Sequence, residues 1–497
     1  MRTFHNVKGV ATMKITEIYI DGFKNIRDTC LDFSKEPMIV LLAPNNYGKS
    51  NLLLGIQESF GLIRSQGTEV VDYIRNISYI DEFLGKEDKR IPFIFGVKFY
   101  KRENNKLYHY TFTIDGQEKS SKKGEVYGIR HELLEYVVVD KTDGISLSSP
   151  NKLPSGHILF SRGINSDDGY ETITEDSSAV ATLNSPAKKV NIRHSTKESK
   201  DVDDEDEKLY PASYYLFLHK LGNTVCDGEK EEKDDWSIAL KEISGVLTSL
   251  TRENIGSIIA GENSVYNTPS SLAVEAIKLE DEEKEQRAEK PRIKGEYTFF
   301  KESFLKLFGM FKDFNFIDIG GEKYTVRFDR KEGEKDENVS TLSYGTRRTF
   351  KLLSQICLNK APLVSIEELE TGLHPALYNK LMKAFFACLD EQAYNDRNDY
   401  NIISCDKRPK GLRKNDPRLI ISSHAPTLVN ELDGHFKSVY IGSIKDKGVT
   451  FRVLNDRGVA ELTKYIEQYN GNLGLGDFIF TFFYNSVSKD LAERKWL

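Results

Sequence analysis

Cysteine is scarce in this chain of 497 residues: Cys30, Cys226, Cys357, Cys388 and Cys405 are scattered, odd in number and without CxxC spacing. A disulfide framework or a zinc site is therefore not expected, and the cytoplasm is the natural compartment. No apolar run approaches the ~20 residues that a membrane-spanning helix needs. The opening stretch MRTFHNVKGVATMKI lacks the apolar core of a secretory signal. Met13 begins a strand-like segment, so either Met1 or Met13 serves as the start. A positive charge balance is also missing. The formal net charge is −6, so any contact with nucleic acid must come from a local basic patch. No internal repeat is present, and no heptad is sustained long enough for a coiled-coil arm.

Hydrophobic residues make up 39% and charged residues 29%, which suits a globular protein with charged surface excursions. The length exceeds the ~250–300 residues that one core usually serves, so more than one unit is expected. Strand-like segments run to about residue 175, among them MKITEIYI, PMIVLLA, and IPFIFGVKFY with KLYHYTFTID as a hairpin around ENN. A polar stretch with the acidic run DVDDEDE follows, read as a solvated loop. Helical patterns then fill 210–312: YPASYYLFLHKLGN, DDWSIALKEISGVLTSLT and EYTFFKESFLKLFGMFKDF, with LEDEEKEQRAEK as a charged helix or loop tip. Strand signals return at KYTVRF. Past residue 440 come two strands (SVYIG, VTFRVL), a helix (VAELTKYIEQY) and an aromatic helix (GDFIFTFFYNSV).

Four segments carry chemistry. Ala43-Pro44-Asn45-Asn46-Tyr47-Gly48-Lys49-Ser50 lies between an apolar strand and the apolar helix SNLLLGIQESFGLI, which contains Asn51, the setting of a phosphate-binding loop. Backbone N–H groups of such a loop cradle phosphate oxygens, and the helix presents its positive end to them. Gly48 allows close backbone approach, Lys49 neutralises terminal phosphate charge, and Ser50 offers a hydroxyl to Mg2+. Ala43 replaces the usual first glycine, which weakens the match without emptying the pocket. A chance Gly/Asn-rich turn is the competing reading.

The second segment, Leu363-Val364-Ser365-Ile366-Glu367-Glu368-Leu369-Glu370-Thr371-Gly372-Leu373-His374-Pro375, has a short buried strand that ends in two adjacent carboxylates. One can support Mg2+ (Glu367) and the next orient or deprotonate water (Glu368). An acidic helix start is the alternative. The third, Leu342-Ser343-Tyr344-Gly345-Thr346-Arg347-Arg348, places a serine and a glycine at a helix N-terminus, either an anion site or an ordinary cap. The fourth, RLIISSHAP, delivers His424 at the end of an apolar strand; a lone histidine there is more often structural. Their order and spacing, with one helix plus one strand between the third and second motifs, are more specific than any motif alone.

Taken together, GFKNIRD with APNNYGKSNLL, LSYGT, IEELETGLHP and ISSHAPTLVN resemble the ABC-type ATPases of the RecF/SMC/OLD group. The resemblance covers 13–60 and 340–435. It implies an α/β fold: a P-loop ABC ATPase head with a mixed β-sheet core and a helical insertion between its two halves. The expected units are 1–175 (first half of the head), 176–312 (polar linker and helical insertion), 313–440 (second half) and 441–497 (C-terminal extension). The implied ligands are ATP and Mg2+. Asn45, Asn46, Tyr47, Gly48, Lys49, Ser50 and Asn51 would bind the nucleotide, with Arg27 nearby. Ser343 and Gly345 would reach the nucleotide of a second copy in a head-to-tail homodimer. Ser50 and Glu367 would serve the metal, and Glu368 and His424 catalysis.

OLD-type chains often continue into a TOPRIM nuclease domain, which the residues after His424 do not resemble. The expectation is therefore an ATPase that regulates a separate effector, a nuclease or toxin, in anti-phage defence. The alternatives are a repair ATPase gripping double-stranded DNA through Lys407, Arg408, Lys410, Arg413 and Lys414, and a nucleotide-bound scaffold with negligible turnover. A transporter subunit is disfavoured by the absence of LSGGQ. No membrane partner is expected.

Overall fold

The computed structural model describes residues 13–64, 93–101, 106–117, 126–138, 157–165, 169–170, 247–250, 270–289, 296–320, 323–331, 337–338, 341–358, 363–389, 418–432, 435–445, 448–468 and 474–484. The described chain begins with strands β1 (Met13–Asp21), β2 (Thr29–Asp32) and β3 (Met38–Leu42) and helix α1 (Lys49–Arg64). β4 (Phe93–Lys101) and β5 (Lys106–Gln117) form the expected hairpin, with Lys101 opposite Lys106. With β6 (Val126–Val138), β7 (His157–Asn165) and β8 (Gly169–Tyr170) they build an antiparallel sheet in the order β2-β1-β4-β5-β6-β7-β8.

Alternation decides which way this sheet faces. Phe93, Phe95, Val97 and Phe99 of β4 and Tyr108, Tyr110, Phe112 and Ile114 of β5 all join one core, because every second residue of a strand shares a face. The other face carries a row of charge. Glu17 pairs in register with Lys98, Lys98 with His109, and His109 with Glu135. All four are buried. Lys98 Nζ lies 3.0 Å from a Glu17 carboxylate oxygen, and His109 Nδ1 lies 3.0 Å from Glu135 Oε1.

A second sheet runs β16-β15-β3-β14-β13-β9, formed by β9 (Leu247–Leu250), β13 (Leu363–Ile366), β14 (Arg418–Ser423), β15 (Val439–Lys445) and β16 (Gly448–Val453) with β3. All its pairings are parallel except that of β15 with β16. Sheets covered on both faces need strands that are apolar throughout, and β3 meets that demand. Met38, Val40 and Leu42 enter one core, while Ile39 and Leu41 enter the other, beneath α1 and the antiparallel sheet.

Helices fill the first of these cores: α2 (Ser270–Glu289), α3 (Glu296–Leu307), α4 (Tyr344–Leu358) and α5 (Tyr378–Leu389). A small antiparallel sheet of β10 (Phe311–Gly320), β11 (Lys323–Arg330) and β12 (Glu337–Asn338) packs with them. Phe350 of α4 is ringed by Phe300, Phe304, Phe314 and Phe328, with centroids 5.1–5.5 Å away. Beyond β14 come α6 (Pro426–Asn430), α7 (Asp456–Gln468) and α8 (Leu475–Tyr484).

Two helical expectations are corrected. The pattern over 234–251 ends in strand β9, because the edge of β13 offers Leu247–Leu250 a parallel hydrogen-bond ladder, and such tertiary pairing overrides local pattern. The pattern over 296–314 stops at Leu307, just before Gly309, and Phe311 opens β10 instead. The acidic run at 201–207 and the basic group Lys407, Arg408, Lys410, Arg413 and Lys414 lie outside the described residues. Among the described residues no helix is long and apolar enough to cross a membrane.

Phe304 has no exposed surface and touches five other rings. Phe304→Ala is expected to destabilise the protein by about 3–5 kcal/mol, read as an earlier midpoint in urea titration followed by tryptophan-independent circular dichroism.

Candidate functional site

β3, β14 and β13 lie side by side and parallel, so the loops leaving their C-terminal ends open onto one edge of the sheet. These loops carry the phosphate-loop motif, His424 and the tandem glutamates.

The chain leaves β3 through Pro44–Gly48 and enters α1 at Lys49. Asn46 (φ +67°) and Gly48 (φ +85°) are left-handed. A Cβ on Gly48 would lie 2.5 Å from Asn25 Oδ1, so glycine is required on grounds of space as well as of φ. Asn25 sits in the turn between β1 and β2 and accepts a hydrogen bond from Asn51 Nδ2 at 2.9 Å. It thus latches the loop from outside. Sequence reasoning missed Asn25, since only its spatial neighbours give it meaning. Asn45 and Asn46 are exposed, and Tyr47 packs against the core beneath α1.

Lys49 is buried, and its Nζ donates to Ala43 O at 2.6 Å while lying 3.4 Å from His424 Nδ1. Burial pulls the ammonium down to about 8, opposed in part by the Glu370 and Glu368 carboxylates. Burial, then the Lys49 charge, also lowers His424, again opposed by Glu370 and Glu368. The ring is therefore neutral at pH 7. An ammonium only donates, so Nδ1 of His424 accepts from it and the ring proton rests on Nε2.

Ser50 Oγ hydrogen-bonds Glu367 Oε1 across the sheet edge. A hydroxyl beside a carboxylate is a hard-oxygen donor pair, which fits Mg2+ when phosphate and water supply the remaining ligands. Among the described residues no group of three or more His, Cys, Asp or Glu could hold a metal by itself.

Glu368 adopts a left-handed backbone, φ +47°, a conformation that costs a non-glycine residue about 1–2 kcal/mol. Its surroundings enforce it. The Glu368 N–H donates to Ser422 Oγ at 3.1 Å, and its carbonyl accepts from Arg348 Nη2 at 2.7 Å and from the Thr371 N–H at 3.0 Å. Arg348 Nη2 also donates to Glu367 O at 3.2 Å. Arg348 is fully buried, an arginine spent on holding the backbone of the two glutamates. In the sequence it reads as a basic residue of a helix start, and nothing local distinguishes it from Arg347.

The start of α4 packs against the loop after the glutamates. A Cβ on Gly345 would collide with Gly372 O, and a Cβ on Gly372 (φ +75°) would collide with the Tyr344 ring. Ser343 is exposed. Its Oγ accepts from the Thr346 N–H at 3.3 Å and shares a hydrogen bond with Thr346 Oγ1 at 2.8 Å, a helix cap. His374 also caps, its Nδ1 accepting from the Ala376 N–H at 3.2 Å.

Of the residues singled out from the sequence, Lys49, Ser50, Glu367 and His424 make direct contacts, and Glu368 is held beside them. Gly48 and Asn51 join through Asn25. Ser343 and Gly345 lie at the far end of the same loop system. Arg27 is not drawn in: its Nη1 donates to Lys24 O at 3.0 Å and Ile26 O at 2.7 Å. Its Nε and Nη2 are buried without a partner, and burial lowers its pKa. None of its described contacts reaches the phosphate loop.

Comparison with known proteins bears on this arrangement. No curated protein matches the chain. Among solved structures, an SMC head bound to the C-terminal winged-helix domain of ScpA is 10% identical with a TM-score of 0.45, covering 90% of this chain and 99% of that one. The SMC head domain from Thermotoga maritima is 9% identical with a TM-score of 0.37, covering 89% and 99%. The recombination mediator RecF with bound nucleotide analogue is 10% identical with a TM-score of 0.29, covering 89% and 99%. At these TM-scores the likenesses carry no functional inference. The family model described as "AAA domain, putative AbiEii toxin, Type IV TA system" matches residues 39–430, a span that begins on β3 and ends six residues past His424. With the phosphate loop, tandem glutamates and strand-end histidine gathered on one sheet edge, the chain is an ATPase that belongs to this AAA-domain family.

Proposed function

We propose that this protein is a nucleotide-driven dimeric clamp whose ATP-dependent closure regulates a separate effector protein. The observation that carries the reading is the convergence of Lys49, Ser50, Glu367 and His424, while Ser343 faces solvent away from any described contact with the loop of its own chain. One chain thus offers two half-sites. A head-to-tail pairing under twofold symmetry completes both at once.

In the assembled site the backbone of Asn45–Lys49 and the end of α1 receive the phosphates. Lys49 leaves the Ala43 carbonyl and neutralises terminal phosphate charge. His424 donates from Nε2 to a phosphate oxygen. Ser50 and Glu367 would hold Mg2+, which would supply charge neutralisation at the terminal phosphates. Glu368, fixed by Arg348 and Ser422, orients and deprotonates the attacking water. Ser343 and Gly345 of the second copy close the site from the other side. The proposed units remain 1–175, 176–312, 313–440 and 441–497; the second would either dock the partner or complete the head, and the pairing of β9 with β13 and the packing of α2 and α3 into the main core favour completion of the head for those elements. The effector reading draws support from the family description, which names a toxin–antitoxin system. The effector would be a nuclease or toxin in antiviral defence.

Steady-state hydrolysis by wild type beside Glu368→Gln, over a range of protein concentrations, tests this. Specific activity should rise with concentration and fall at least ~100-fold in the variant, which should still bind ATP and accumulate dimers. Concentration-independent turnover, or an unimpaired variant, would refute the composite site. Duplex DNA titrated at several salt concentrations separates the repair alternative, for which a steep salt slope is expected.

The lowered Lys49 pKa sets a pH dependence. Below about pH 8 the ammonium is already charged, and ATP affinity is indifferent to this group. Above that, binding must take up a proton, so affinity should fall by up to about tenfold per pH unit. Calorimetry in buffers of different ionisation enthalpy should show proton uptake approaching one per site near ~pH 9, and Lys49→Ala should abolish binding.

A further inference from the structure

Glu370 lies within IEELETGLHP, where the motif gives it no role, yet it joins the two loops on which the site depends. Three hydrogen bonds stitch the loop after β13 to the end of β14. The Glu368 N–H donates to Ser422 Oγ at 3.1 Å, and the Leu369 N–H donates to Ser422 O at 3.3 Å. The third runs the other way: the His424 N–H donates to Glu370 Oε1 at 2.5 Å. The strand ladder ends at Ser423, which pairs with Leu42, so the His424 amide has left the sheet and finds its acceptor in this carboxylate. The next amide, Ala425, turns back onto Ser423 Oγ at 3.0 Å. The other oxygen, Glu370 Oε2, is buried and has no partner.

Lys49, Glu368, the His424 ring and the Tyr378 hydroxyl all share the electrostatic surroundings of Glu370. An anionic oxygen beside the phosphate loop would repel a phosphate, so direct nucleotide binding is not its role. Its effect passes through the backbone it holds. We propose that Glu370 is a positioning residue for the terminal phosphate of a nucleoside triphosphate, its Oε1 fixing the His424 backbone so that the ring keeps its place beside Lys49. This rests on the ATPase reading above, and it adds a residue to that site which the motifs do not assign.

The acceptor matters here more than the charge. Glu370→Gln keeps an oxygen for the His424 amide, whereas Glu370→Ala removes it. In Glu370→Ala, kcat is expected to fall about 100-fold while KM for ATP stays within about threefold; in Glu370→Gln, kcat should recover to within about threefold of wild type. Because the residue acts through His424, Glu370→Ala combined with His424→Ala should be no slower than His424→Ala alone. Hydrogen–deuterium exchange in nucleotide-free protein gives a readout apart from turnover: the peptide spanning 418–426 should exchange faster in the alanine variant and at the wild-type rate in the glutamine variant. Multiplying effects in the double variant, equal damage from alanine and glutamine, or unchanged exchange in Glu370→Ala would each overturn the proposal. Wild type that fails to bind ATP would instead sink the ATPase reading, and the exchange rates would still decide whether Glu370 holds the His424 backbone.

Discussion

Parallel pairing of β3 with β14 and of β14 with β13 joins segments that lie far apart in the sequence. Closing such a loop costs conformational entropy that only burial on both faces can offset. Each of these strands is buried at every position, and alternate residues feed two separate cores. If this sheet forms in register, the three loops at its edge have no freedom to be elsewhere. The site is therefore a by-product of strand order: the strand carrying His424 runs between those carrying the phosphate loop and the glutamates.

The edge is then refined by groups that contribute little to the core. Arg348 reaches from α4 to two carbonyls, Ser422 supplies both a hydroxyl and a carbonyl, and Asn25 leans over Gly48. Each bond ties a loop to a rigid element, which keeps Glu368 in a conformation its own chain disfavours. The start of α4 is drawn in by glycines that let backbone meet backbone at Gly345 and Gly372, while Phe350 anchors the same helix among rings from α3, β10 and β11. The start of one helix thus carries both the Ser343 cap and the Arg348 guanidinium that holds the carbonyls of Glu367 and Glu368.

Much of this was legible in the residues. PMIVLLA, LVSI and RLIISS are short and apolar throughout, as doubly covered strands must be, and each is followed by side chains suited to phosphate or metal. The hairpin of β4 and β5 announced itself by alternation around ENN. What could not be read were contacts whose meaning is spatial. LTSL looks like the end of an amphipathic helix until an unpaired strand edge is set beside it. Gly309 gave the only local sign that the helical pattern before β10 would break. Asn25 stands in GFKNIRD and Arg348 closes LSYGTRR, yet the role of neither is readable locally, because their partners lie in other segments. Arg27 spends one nitrogen on the carbonyls of its own turn, a use that the residues around it do not announce.

The row of Glu17, Lys98, His109 and Glu135 across the antiparallel sheet has a consequence for how this protein can vary. Each rung is buried and answers a neighbour of suitable chemistry on the next strand. Replacing one member strands a charge where water cannot reach it, which costs far more than the intact pair contributes. Sequences descended from this one can therefore cross that face only by exchanging partners together, and drift there should proceed in coupled steps while the solvent-facing positions around it change singly.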